Sequence, residues 1–247
     1  MLRSLLFVAF VFAAPAHASE EQAAIDMAIQ RGADQRMTPE NTALVYVDYT
    51  SGLDNLMNTM PTDVYKNNIA AFAKFNPLFD LPTAVLGTEN EYYGTMLPEI
   101  TENVTENVRR FPRHTSSGFT AEMDAWLKEE GITNILIGGI SIDNCVSHTA
   151  LDALAAGYGV YVVVDVSSTN SRLVEDAAIM RLVQAGAVPI GWLNAMTELG
   201  QSWEGPYADG MRAIVREHWP ASTVGPTEDS TPDGAGLGEF GMDDTSD

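Results

Sequence analysis

Cys145 is the single thiol in 247 residues, and it stands in the run Gly138-Gly-Ile-Ser-Ile-Asp-Asn-Cys145-Val-Ser-His148. A cysteine becomes a nucleophile as its thiolate, so it needs a base nearby and donors for the negative oxygen that its attack creates. The run predicts a strand over 134–138, a tight loop, and a helix over 144–156 whose first turn holds the thiol. Free backbone N–H groups and the positive end of the helix dipole are expected there to make the thiol more acidic. The same loop could hold an oxyanion. His148 follows three residues later on the same helix face, as a Cys–His dyad or as a packed histidine. Without a second cysteine no internal disulfide can form, so Cys145 also reads as a small buried hydrophobe.

The elements that must position this thiol alternate. Apolar runs over 43–48, 83–87, 107–111, 134–138, 160–164 and 188–192 read as strands. Segments of helical period lie at 62–76, 120–130, 144–156 and 173–185, with closing helices at 197–203 and 209–219 and an amphipathic arm at 20–30. Pro77 is expected to stop the first of these, and Gly131, Gly157 and Gly186 the next three. Strand–helix alternation predicts an α/β fold around a mainly parallel sheet, whose strands deliver their carboxyl ends to one ligand-binding edge. Asp48, the 88–93 loop, the 113–119 loop, the 139–145 loop and 165–169 follow those strands. A carboxylate, the Arg113 guanidinium and the thiol thereby meet on one rim. Asp48 could instead cap a turn, and Arg113 could be a surface base. Asp143 and Asp165 read as loop ties made through hydrogen bonds.

With 13 Lys and Arg against 34 Asp and Glu, the net charge is −21, which disfavours nucleic acid and anionic membrane surfaces as partners. Residues 1–18 have the basic start, short apolar core and small-residue cut site of a secretory signal peptide. An exported protein, periplasmic in a bacterium and free of the membrane after cleavage, is the expectation. Residues 221–247 are acidic, lack Lys and Arg, and hold too few apolar groups to order themselves. The interval 19–220 fits one domain.

Four ordered motifs then carry a resemblance. Thr42-Ala-Leu-Val-Tyr-Val-Asp48 with Gly52-Leu53, Arg113-His-Thr-Ser-Ser-Gly-Phe119, Gly139-Ile-Ser-Ile-Asp-Asn-Cys145-Val146, and Asp165-Val-Ser-Ser-Thr169 resemble those of isochorismatase-like cysteine hydrolases over 39–203. Lys66-Asn-Asn68, Leu81-Pro-Thr83, Gln184-Ala-Gly-Ala187 and Trp192 are similar to YcaC-type members. The resemblance implies a three-layer αβα fold with a six-stranded sheet. It also implies a triad in which Asp48 takes the proton of Cys145 and Arg113 orients Asp48. A cis peptide would join Ile140 and Ser141 and aim the N–H groups of Ser141 and Cys145 at an oxyanion.

Arg113 stands where the family usually has Lys, with Arg110 as the alternative in the alignment, and Ile142 replaces a common Thr. Arg cannot act as a proton donor in normal turnover. After Thr88 the chain reads Glu89-Asn-Glu-Tyr-Tyr93, without the histidine ligands of metal-binding nicotinamidases, so neither metal nor cofactor is expected. Tyr92, Tyr93 and Phe119 are the expected pocket side chains for a small-molecule substrate. The reading is a hydrolase of small amides or carbamoyl compounds acting through an acyl-enzyme on Cys145, as a homo-oligomer. Alternatives are a non-catalytic binding or assembly module and a thiol redox sensor.

Overall fold

The computed structural model describes residues 36–105 and 108–219. The signal peptide, the arm at 20–30 and the acidic tail lie outside these. Six parallel strands form one sheet in the order β3-β2-β1-β4-β5-β6, with β1 at Thr42–Val47, β2 at Thr83–Leu86, β3 at Val108–Phe111, β4 at Asn134–Gly139, β5 at Gly159–Val163 and β6 at Val188–Ile190. Each lies within two residues of its predicted place. No helix among the described residues is long and apolar enough to cross a membrane.

Strand alternation divides the core in two. From β1 and β4, Leu44, Tyr46 and Leu136 face one layer, where Phe72, Phe75, Phe79 and Trp192 pack, while Val45, Val47, Ile135 and Ile137 face Met123, Leu127, Val146 and Leu182. The first layer holds α1 (Ser51–Asp54), α2 (Thr62–Ala73), α3 (Phe75–Phe79), α4 (Pro98–Thr101), α8 (Trp192–Gly200) and α9 (Ala208–His218). The second holds α5 (Ala121–Glu129), α6 (Ser147–Ala155) and α7 (Arg172–Gln184).

Two helix expectations need correction. Pro77 does not end a helix. The chain turns at Lys74 and restarts as α3, so that Pro77 falls in a first turn, where its missing N–H is no loss. The closing helix predicted at 197–203 begins earlier, at Trp192, because the Oδ1 of Asp165 accepts the Trp192 N–H at 2.9 Å. A residue from the β5 edge thus satisfies the free N-terminus of α8.

Neighbouring β1 and β4 leave the sheet centre in opposite directions along the strand order, the point at which open parallel sheets form their crevice. Their backbones lie close. A Cβ on Gly139 would stand 2.2 Å from the carbonyl oxygen of Val47, so only glycine fits this register.

Candidate active site

Asp48 is the first residue beyond β1. Its φ of 51° turns the backbone into the left-handed region, which Asp adopts more readily than most side chains, and its N–H still donates to Leu86 O at 3.0 Å. Gly87 leaves room for the carboxylate, since a Cβ there would approach Asp48 Oδ1 to 2.9 Å.

Arg113 arrives from beyond the edge strand β3. One edge of its guanidinium grips Asp48, Nε to Oδ1 at 3.4 Å and Nη2 to Oδ2, and Nη2 also reaches Cys145 Sγ at 3.1 Å. Nη1 donates to the carbonyls of Thr115 and Ser116 at 2.7 and 2.9 Å. These contacts occupy all five donors of the fork and hold it in place, as the three donors of a lysine could not. Arg110, the alternative, turns away to Glu89 at 3.5 Å.

Cys145 lies in a π-helical turn, Ile142–Val146, that precedes α6. The Ser141 carbonyl accepts from the N–H groups of Asn144 and Val146, and Ser147 Oγ donates to Ile142 O at 2.5 Å. Thr149 Oγ1 donates to Cys145 O at 2.7 Å and accepts the Gly118 N–H at 2.9 Å, which ties the thiol's turn to the loop that carries Arg113. The peptide between Ile140 and Ser141 is cis.

The expected acidity of the thiol is overturned. Burial pushes Cys145 up to about 11, the negative charge of Asp48 adds to this, and Arg113 offsets only part. Burial likewise raises Asp48 above the usual carboxylate range, against the opposing pull of Arg113 and of the hydrogen bond with Cys145. At rest Cys145 is therefore a protonated thiol, hydrogen-bonded to Asp48.

A cavity of about 580 Å³ opens over the triad, lined by Thr50, Leu53, Thr88, Asn90, Tyr93, His114, Thr115, Ser116 and Asn144 besides Asp48, Arg113 and Cys145. Of the aromatic side chains expected here only Tyr93 lines it. Tyr92 points to solvent, held by the sharp turn in which Asn90 Oδ1 accepts the N–H groups of Tyr92 and Tyr93. Phe119 packs edge-on against Tyr158 beside the second core layer. His148 lines neither cavity at Cys145 and makes no bond to its sulfur. Asp143, expected to tie the loop, makes no hydrogen bond with any described residue, and its Oδ1 is without a partner among them. Asn90, His114 and Asn144 lie in loops expected at this edge, although the sequence singles out none of them; Thr50 lies outside those loops, and its closeness to Asp48 is the available signal.

The chain's family follows from a match to the isochorismatase domain model over residues 42–193. The chain belongs to the isochorismatase domain family. It is 28% identical over 194 residues to "Probable hydrolase YcaC" of Escherichia coli strain K12, covering 75% of this chain and 89% of that protein. Among solved structures it is similar to YcaC from Pseudomonas aeruginosa with hexane-2,5-diol and covalent acrylamide, at 30% identity, 77% and 95% coverage and a TM-score of 0.72. It is also similar to the Escherichia coli YcaC gene product, described as an octameric hydrolase of unknown specificity, at 27% identity, 76% and 93% coverage and a TM-score of 0.71. The family is one of hydrolases, and within it this chain is of the YcaC type.

Proposed function

We propose that the protein is an exported cysteine hydrolase that cleaves the carbon–nitrogen bond of a small amide or carbamoyl compound. The observation that carries this reading is the Arg113 Nη2 group, which contacts both Asp48 Oδ2 and Cys145 Sγ beneath an open cavity. Sγ attacks the carbonyl carbon while its proton passes to Asp48. The oxygen left with the electron pair is received by the N–H groups of Ser141 and Cys145. As the tetrahedral species collapses, the protonated Asp48 gives its proton to the departing nitrogen, and the C–N bond breaks to leave a thioester on Cys145. Water, deprotonated by Asp48, then attacks the thioester, and the acid departs as the thiol is restored. A relative that holds acrylamide covalently supports a site reactive toward a small electrophilic amide.

The same reading makes the protein a homo-oligomer, in keeping with the octameric relative. Leu173, Met180 and Val183 form one exposed apolar stripe on α7, a surface suited to a second copy. Screening small primary amides for ammonia release, with intact-protein mass spectrometry for the acyl-enzyme, tests the chemistry. Release that is lost in Cys145→Ser supports it; release that persists in Cys145→Ser, or no release and no acyl adduct across the panel, overturns it.

A further inference from the structure

Cys145 lies where two lobes of the cleft meet. Besides the large one of about 580 Å³, a smaller lobe of about 220 Å³ shares Leu53, Asn144 and Cys145 with it. The groups that serve the thiol are divided between the two. Asp48 and Arg113 line the large lobe alone, while Ile140 and Ser141 line the small one alone. The Ser141 N–H donates to no described residue and so remains open to a ligand. The walls differ as well. α1 and the turn after it give the small lobe Leu53, Leu56 and Met57, and its surface is chiefly apolar, whereas Asn90, His114, Thr115 and Ser116 help to make that of the large lobe chiefly polar.

This division orients the bond that is cut. The departing nitrogen takes its proton from Asp48 and therefore extends into the large lobe, while the oxygen that gathers charge faces the Ser141 side. The reverse placement would set the oxyanion beside the Asp48 carboxylate, two like charges at close range, with the nitrogen beyond reach of the proton. The acyl chain then falls to the small lobe, where Leu53, Leu56 and Met57 remove it from water. At roughly 30 Å³ for a group the size of a water molecule, the lobe holds about seven such groups, room for an acyl chain of about four carbons with its oxygen. In the large lobe every guanidinium N–H of Arg113 is committed within the protein, so the wall offers hydrogen bonds and no free positive charge. We propose that the substrate is an N-acyl amine, with a short aliphatic acyl group in the small lobe and a neutral, hydroxylated amine portion in the large one. The proposal rests on the hydrolase reading for the bond that breaks, but the chain preference of the small lobe stands apart from turnover.

Two measurements test it, the first without turnover. An aldehyde forms a bond from its carbonyl carbon to Cys145 Sγ while the thiol proton passes to its oxygen, and the resulting hemithioacetal seats the alkyl chain where the acyl group belongs. Affinity is read as protection of Cys145 from iodoacetamide, followed by intact mass, and is divided by that for free 2-mercaptoethanol. Butanal is expected to bind about tenfold or more tightly than acetaldehyde, each of its two extra methylenes contributing about fourfold. Leu56→Asp, at a position exposed enough to change without disturbing the core, should lower that gain to about threefold or less, and Tyr93→Ser, on the large lobe, should leave it in place. A flat wild-type series, a gain lost in Tyr93→Ser but kept in Leu56→Asp, or no protection by either aldehyde would overturn the proposal. The second measurement compares two isomeric amides, N-(2-hydroxyethyl)butanamide and N-butyl-2-hydroxyacetamide. The first should have the higher kcat/KM by about tenfold or more, and an equal or reversed order would overturn the proposal. Failure to cleave either amide, with the aldehyde gain and its loss in Leu56→Asp as expected, would count against the hydrolase reading alone.

Discussion

Replacing Asp48 by Asn should move two properties of Cys145 in opposite directions. With the thiol held at about 11, roughly one molecule in ten thousand carries thiolate at pH 7, against about 1 in 100 for an unperturbed thiol at 9.0. That roughly 100-fold deficit has burial as its main source and the Asp48 charge as the next, while Arg113 opposes both. Asn removes the negative charge and leaves the guanidinium without its carboxylate, so both changes favour thiolate. Alkylation by iodoacetamide, which tracks the thiolate population, should quicken at neutral pH by at least about tenfold and by no more than the full deficit. Amide turnover should fall by about 10²–10⁴, because the variant has no group to take and return the proton. The assay pairs alkylation rates across about pH 6 to 11 with ammonia release from the same preparations. A wild-type alkylation midpoint below about 8, or alkylation and turnover falling together in the variant, would refute the view of a resting thiol activated by its neighbour.

Other substitutions probe the support around the triad. Thr149→Val deprives the Gly118 N–H and the Cys145 carbonyl of partners in a buried place, and about 2–4 kcal/mol of stability should be lost in urea unfolding. A loss below about 0.5 kcal/mol would mean that the bridge is not needed. Asp165 is raised by burial to about 6, above its unfolded value near 3.9. A folded value above the unfolded one means that stability falls as pH rises through about 4 to 6, and that the full penalty is present at pH 7. Asp165→Asn keeps an acceptor for the Trp192 N–H and should therefore stabilise the protein on the order of 2 kcal/mol at pH 7, with little effect at pH 4; equal effects at both would contradict this. Arg113→Lys keeps a positive charge but forfeits the carbonyl contacts of Nη1, and amide kcat should fall about tenfold or more, with a wild-type rate as the refuting result.

The strand pattern was plainly legible, because fully buried parallel strands read as unbroken apolar runs and their ends name the loops that converge. Asp48, Arg113 and Cys145 follow from that placement together with the motif resemblance. What escaped depended on neighbours remote in sequence. The N–H of Trp192 finds its partner 27 residues back, so the start of α8 carries no local signal. The position of Cys145 near a helix start suggested an acidic thiol, but the layers covering it and the carboxylate from another strand decide the sign. Phe119 and Tyr92 are as aromatic as Tyr93, and only the direction of each loop separates core, solvent and cavity.

The proton that Cys145 keeps at rest also has a chemical benefit. Peroxides attack sulfur in its anionic form, so the burial that holds Cys145 as the neutral thiol also slows its oxidation near neutral pH.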